Sequence, residues 1–237
     1  MGTMQFNLQV TAGILGFIAL FWVLTKGYLL IGTYLASYAT KPPVSTQASS
    51  CDVGAGPANC QRLTVYAGTV FIVTFIIGQK DPLIAVTVPL AIILALSAYV
   101  DYYTQKLPDK LTALAALSLL TGVGLTLIIA PVPYPLGLLY SAALGALVWA
   151  LPLAVIYYGL KGLGLGDLKL APVIGAWLGL YGFEVSYTGL LLAFTLGGVV
   201  ALSLVILKKL KLKDRIPYGP FLVVGAYLVW AAHVSLL

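Results

Sequence analysis

PLIAVTVPLAIILALSAYV, residues 82–100, contains no charged residue and ends directly on Asp101. About 20 apolar residues in a helix cross the hydrocarbon core of a bilayer. Comparable runs recur at roughly 9–38, 63–79, 110–130, 136–159, 168–183, 187–207 and 217–236. They are too long and too uniformly apolar for barrel strands, which alternate over about ten residues. The chain therefore reads as an all-α polytopic membrane protein with about eight transmembrane helices.

The composition agrees. Of 237 residues, 61% are hydrophobic and 8% charged, with a mean hydropathy of +1.03; soluble domains carry about 25% charged residues. No soluble domain stands out, so residues 1–237 read as a single integral membrane domain. The first run opens near Gln9 without a basic leader, and no cleavable signal peptide is expected. That run is about 45 Å long if fully helical. Its C-terminal part should project beyond the membrane, with Lys26 snorkelling at the interface.

The net charge of +6 is not a nucleic-acid signal. Cytoplasmic loops of polytopic proteins collect Lys and Arg. The connections around 39–62, 101–110, 160–170 and 208–216 hold eleven of the 13 basic residues. Placing them in the cytoplasm leaves Lys80 on the outer side, beside Asp81 and able to pair with it. Both termini then face outward. The cluster Lys208 to Arg215, with Asp214 inside it, is an orientation signal with anionic lipid headgroups as company.

With only seven acids in the chain, carboxylates at a membrane boundary are functional candidates. Asp101 ends the third apolar run in AYVDYYTQKLPD, residues 98–109. Asp167 opens the sixth in GLGLGDLKL, residues 162–170. The topology puts both at the inner face. Peptide hydrolysis by acids needs one carboxylate to take a proton from water and a second to polarise the carbonyl. Two close carboxylates share a proton because both cannot ionise readily. Gly162, Gly164 and Gly166 loosen the backbone before Asp167, letting an extended substrate approach. At a helix start, the dipole would favour ionised Asp167 and make it the base. Asp109, after Pro108, suits a helix cap or a contact for a basic leader. Gly145 and the Gly197-Gly198 pair are expected to mark tight helix contacts. Tyr99, Tyr102 and Tyr103 read as interfacial anchors.

At these residues the chain resembles the type IV prepilin peptidases, membrane aspartyl proteases of the GxGD class. The first motif reads Asp101-Tyr-Tyr-Thr-Gln-Lys-Leu-Pro108-Asp109. The second reads Gly164-Leu165-Gly166-Asp167-Leu168-Lys169-Leu170, followed by Gly175-Ala176-Trp177-Leu178-Gly179. Ile216-Pro217-Tyr218-Gly219-Pro220-Phe221 is similar to the family's Ile-Pro-Phe-Gly-Pro-Phe segment. Gly32-Thr33-Tyr34-Leu35, ahead of Lys41-Pro42-Pro43, is similar to its Gly-Ser-Phe-Leu stretch. The resemblance implies an endopeptidase of a prokaryotic cytoplasmic membrane. It would remove the short basic leader of single-pass prepilin-like precursors (type IV pilins, archaellins or pseudopilins) at the cytoplasmic face. Asp101 and Asp167 would form the catalytic pair, with Gly164, Gly166 and Lys169 as motif support. No metal or organic cofactor is implied.

Longer family members carry a zinc-binding region with two Cys-x-x-Cys pairs between the first two spans, and also methylate the new N-terminus. The matching loop here, residues 41–62, is short, rich in Pro, Ser and Gly, and holds only Cys51 and Cys60. Tetrahedral zinc usually takes four ligands. Neither structural zinc nor methyltransferase activity is therefore expected. Two other readings are weaker. Presenilin-like and signal-peptide-peptidase-like proteases share GxGD but pair Tyr with the first Asp and carry a later Pro-Ala-Leu; here Val100 precedes Asp101 and no Pro-Ala-Leu follows. A proton-coupled transporter would place its acids deep within broken helices, not at span ends.

Overall fold

The computed structural model describes residues 2–22, 57–104, 107–129, 134–160, 164–207 and 218–236. Within them the chain forms eight α-helices and no strand. These are α1 (Gly2–Trp22), α2 (Pro57–Ile77), α3 (Ile84–Thr104), α4 (Asp109–Ile129), α5 (Pro135–Leu160), α6 (Leu165–Gly179), α7 (Phe183–Ile206) and α8 (Gly219–Ser235). A single 3₁₀ turn, Gly78–Lys80, joins α2 to α3. The helix ends fall near those of the apolar runs, except that α1 and α2 begin well before Gln9 and Leu63; the end of the first run, near 38, lies outside the described residues. Four helices, α3, α4, α5 and α7, are long and apolar enough to cross a membrane. Lys26, Gly32 to Pro43, Cys51, Lys106, Lys161, Gly162, Lys208 to Pro217 and the side chain of Cys60 lie outside the described residues.

Two helices sit inside the bundle. From Ile84 to Ala98 every residue of α3 is buried, because α1, α2, α4 and α8 all pack around it. The short α6 is enclosed by α4, α5, α7 and α8, and most of its residues from Leu170 to Gly179 are buried. By contrast, α5 and α7 turn most of their surface outward. In a bilayer, apolar residues alone do not drive helices together; close packing and interhelical hydrogen bonds do. Both are present. Gly145 of α5 and Gly175 of α6 touch backbone to backbone, with no room for a Cβ on either. Gly197 of α7 lies against the ring of Tyr218, 2.6 Å from where its Cβ would be, whereas Gly198 faces open space. The expected tight contact thus holds for Gly145 and Gly197 and not for Gly198, which points away from the neighbouring helix.

The buried tryptophans tie the helices with their ring N–H groups. Trp149 donates to the Ser186 carbonyl at 2.9 Å, and Trp230 to Asp81 at 3.1 Å. Asp81 is not the surface partner of Lys80 that its neighbour in sequence suggests. It is fully buried and accepts from the Leu83 N–H (2.8 Å), Thr87 Oγ1 (3.2 Å), Tyr181 Oη (2.7 Å) and Trp230 Nε1. This knot fastens the start of α3 to the α6–α7 turn and to α8. It lies at the end of α3 opposite Asp101.

Candidate active site

Asp101 stands in the last turn of α3, one turn after Ser97 and Ala98, and only 4% of its surface is exposed. Charge is rare at such depth because burial strips water from a carboxylate. Among the described residues the side chain is met by one backbone donor, the Gly219 N–H, at 3.1 Å from Oδ2. That donor belongs to the first turn of α8, whose leading N–H groups have no partner within the helix. The end of α3 and the beginning of α8 thus meet at a carboxylate.

Asp167 arrives from the other inner helix. Gly164 precedes α6 in an extended conformation (φ −76°, ψ 145°), and its carbonyl accepts the first helical bond, from Leu168 N–H at 3.3 Å. Asp167 therefore lies in the first turn, where the helix dipole favours negative charge. It is 5% exposed. Its Oδ1 is buried and has no hydrogen-bond partner among the described residues. Buried polar atoms are nearly always paired, so such an atom calls for a reason.

The two carboxylates converge on Gly219. A Cβ there would stand 2.7 Å from Asp101 Oδ2 and 3.2 Å from Asp167 Oδ1. No side chain fits, and the missing one leaves both oxygens facing the same point. Gly166 allows a comparable close approach at the start of α6. Its Cβ would lie 2.5 Å from the Cβ of Leu107, so α6 rests directly on the segment leading from Asp101 to α4. Lys169 Nζ then reaches across to Asp109 Oδ1 at 2.6 Å, joining the first turn of α4 to α6.

This arrangement can hold one proton and polarise one carbonyl. Two carboxylates brought to one buried point cannot both ionise readily, which is the condition under which such a pair shares a proton. The protonated oxygen donates to a carbonyl or stabilises a developing oxyanion, while the ionised one accepts a proton from water. Among the described residues no group of three His, Cys, Asp or Glu side chains could hold a metal ion.

Asp101, Asp109, Gly164, Gly166, Asp167 and Lys169, the site residues expected from the sequence, all fall at this end of the bundle. Asp109 occupies the first turn of α4, and its carboxylate is engaged by Lys169. That partnership was not visible in the sequence; nor were the contact of Leu107 with Gly166 and the place of Gly219 between the acids. Gly219 belongs to the motif at 216–221, which by itself suggests no role for it; only packing assigns one. Tyr218 beside it packs on Phe194, ring centroids 5.7 Å apart. Tyr102 and Tyr103 are exposed beside Asp101.

Residues 88–202 match the type IV leader peptidase family. That stretch includes Asp101, Asp109, Asp167 and Lys169; Gly219 lies beyond it. Relatives include the prepilin leader peptidase/N-methyltransferase of Aeromonas salmonicida (strain A449), 31% identical over 151 residues, covering 60% of this chain and 48% of that one. The protein of the same name from Pseudomonas putida is 30% identical over 169 residues, covering 64% and 54%. That of Escherichia coli (strain K12) is 33% identical over 145 residues, covering 56% and 59%. The chain thus spans about half the length of the curated relatives it matches. No solved structure matches it significantly.

Proposed function

We propose that this chain, which carries a type IV leader peptidase domain over residues 88–202, is a membrane aspartyl endopeptidase that removes the short basic leader of prepilin-like precursors. The observation that carries the reading is the convergence of Asp101 and Asp167 on Gly219, two acids from different inner helices sharing one buried point. One carboxylate of the pair, ionised, takes a proton from water as the water oxygen bonds to the scissile carbonyl carbon. The other, protonated, hydrogen-bonds the carbonyl oxygen as the tetrahedral oxyanion forms. As the C–N bond breaks, the proton taken from water passes to the leaving nitrogen, releasing the leader with a new carboxylate and the mature chain with a new amine.

The basic loops around 39–62, 101–110, 160–170 and 208–216 support placing the site at the cytoplasmic face of a bacterial inner membrane, with both termini outside. The substrate is then a single-pass protein whose leader lies in the cytoplasm. The relatives' names couple peptidase with N-methyltransferase. For this chain we assign proteolysis alone, because the loop at 41–62 offers only Cys51 and Cys60 where a four-ligand zinc site would need more.

Purified protein incubated with a candidate precursor, beside the variants Asp101→Asn and Asp167→Asn, tests both statements by mass spectrometry. The expected products are leader and mature chain from the native protein only, with no added methyl group. Cleavage by either variant at the native rate would remove that carboxylate from the pair. An enzyme-dependent methyl gain would overturn the second statement.

A further inference from the structure

An apolar groove of about 240 Å³ opens between α2, α3 and α8. Its floor is α3 at Ala91 and Ala95, its base the buried Trp177, and one rim is Val223 and Val224 of α8. It is smaller than the roughly 300–1,000 Å³ of pockets that enclose small molecules, and it is only partly enclosed. Its shape suits side chains offered by a passing helix, and two alanines one turn apart let another backbone come near.

The groove points at the acids. Leu94, which also lines it, stands seven residues before Asp101, two turns back on the same face of α3. Val223 stands one turn after Gly219 on the same side of α8. The two faces that present Asp101 and Gly219 at the end of the bundle therefore continue inward as walls of the groove. At the far end α2 and α8 are bridged by Thr74 and Tyr227, whose hydroxyls lie 3.0 Å apart. The recess is thus crossed by a polar bridge away from the carboxylates and leads toward them.

We infer that this groove seats the first turns of the substrate's apolar helix, with its N-terminal end at Asp101 and Asp167. The inference rests on the peptidase reading, which makes the segment after the scissile bond apolar and helical. A lipid chain would fill the groove equally well by polarity, but it gives no reason for the groove to share its walls with the site. Seated this way, the helix presents the peptide bond just before it to the acid pair, and the distance from helix to cut is set by α3 and α8 rather than by the leader sequence.

The test is site-specific photocrosslinking in membranes. A photoreactive benzoylphenylalanine replaces Val224, half-exposed at the rim, or as control Leu147, equally exposed on α5. The probe is a precursor with a lysine-rich leader followed by about 20 apolar residues. It is offered to the full chain, native and carrying Asp101→Asn. The expected result is a precursor adduct at 224 several-fold above that at 147, mapped to the first two turns of the apolar segment and unaffected by Asp101→Asn. Adducts at 224 only to lipid, to a second copy or to residues 23–50 of the same chain would overturn the inference, even with cleavage intact. A strong precursor adduct in a protein that cleaves nothing would instead retain the groove and remove the peptidase reading. Circular dichroism of each labelled protein checks that it is folded before irradiation.

Discussion

The bundle buries carboxylates at both ends, and the two ends treat them differently. Asp81 is wholly enclosed and surrounded by four donors from the backbone, a threonine, a tyrosine and a tryptophan. Asp101 and Asp167 are almost as deeply buried, yet Asp101 receives the Gly219 N–H and Asp167 Oδ1 receives nothing among the described residues. A carboxylate with its lone pairs filled is held in one geometry and has no capacity left for chemistry. A pair with lone pairs to spare, facing a point where a side chain has been omitted, can bind a water, a carbonyl or a shared proton. Burial is common to both ends; unused hydrogen-bonding capacity is what separates them.

The sharpest way to break this contrast is to neutralise each acid in turn. Asp101→Asn and Asp167→Asn should each lower precursor turnover at least about 10³-fold, within the range that positioned acid–base groups contribute, with the melting temperature in detergent kept. Gly219→Ala comes next. A Cβ 2.7 Å from Asp101 Oδ2 must push the carboxylate aside, and misplacement on the order of 1 Å costs about 10²-fold; turnover assayed beside an unaltered helical circular dichroism spectrum checks it. Retained activity in Gly219→Ala would mean that the acids need not share that point.

Asp81→Ala should behave in the opposite way. It removes the acceptor that Leu83 N–H, Tyr181, Trp230 and Thr87 share, leaving the last three to donate only to one another and to the Leu83 carbonyl, at a cost of about 1–3 kcal/mol. Thermal unfolding in detergent should reveal a lower midpoint, while turnover per folded molecule is retained. A large loss of turnover with unchanged stability would place Asp81 in the chemistry and dissolve the contrast. The smallest effect is expected at the ion pair. Lys169 and Asp109 are exposed by 47% and 75%, and such pairs contribute about 0–1 kcal/mol. Asp109→Asn should therefore change turnover by less than about fivefold, measured on the same precursor.

What the sequence discloses follows from how local each property is. The helices were legible because an apolar run bounded by polar residues is a local signal, and α3 begins and ends close to residues 82–100. The place of Asp101 and Asp167 at helix ends was legible for the same reason, since one closes an apolar run and the other opens one. Their meeting was not, because it depends on α3 and α6 both occupying the interior and on α8 beginning between them. Asp81 shows the limit most clearly. Beside Lys80 it reads as half of a surface pair, yet Tyr181 and Trp230, far along the chain, enclose it. Gly198 fails in the same way: two adjacent glycines look alike in sequence, and only the face of α7 that meets Tyr218 distinguishes Gly197.

Proximity of the two acids in the native membrane can be measured directly. In a background of Cys51→Ser and Cys60→Ser, the double variant Asp101→Cys/Asp167→Cys is treated with a short bifunctional thiol reagent and with an impermeant thiol label applied from either side. The account predicts efficient intramolecular crosslinking and labelling of both positions from the cytoplasmic side alone. Absence of a crosslink in folded protein, or labelling of the two positions from opposite sides, would contradict it.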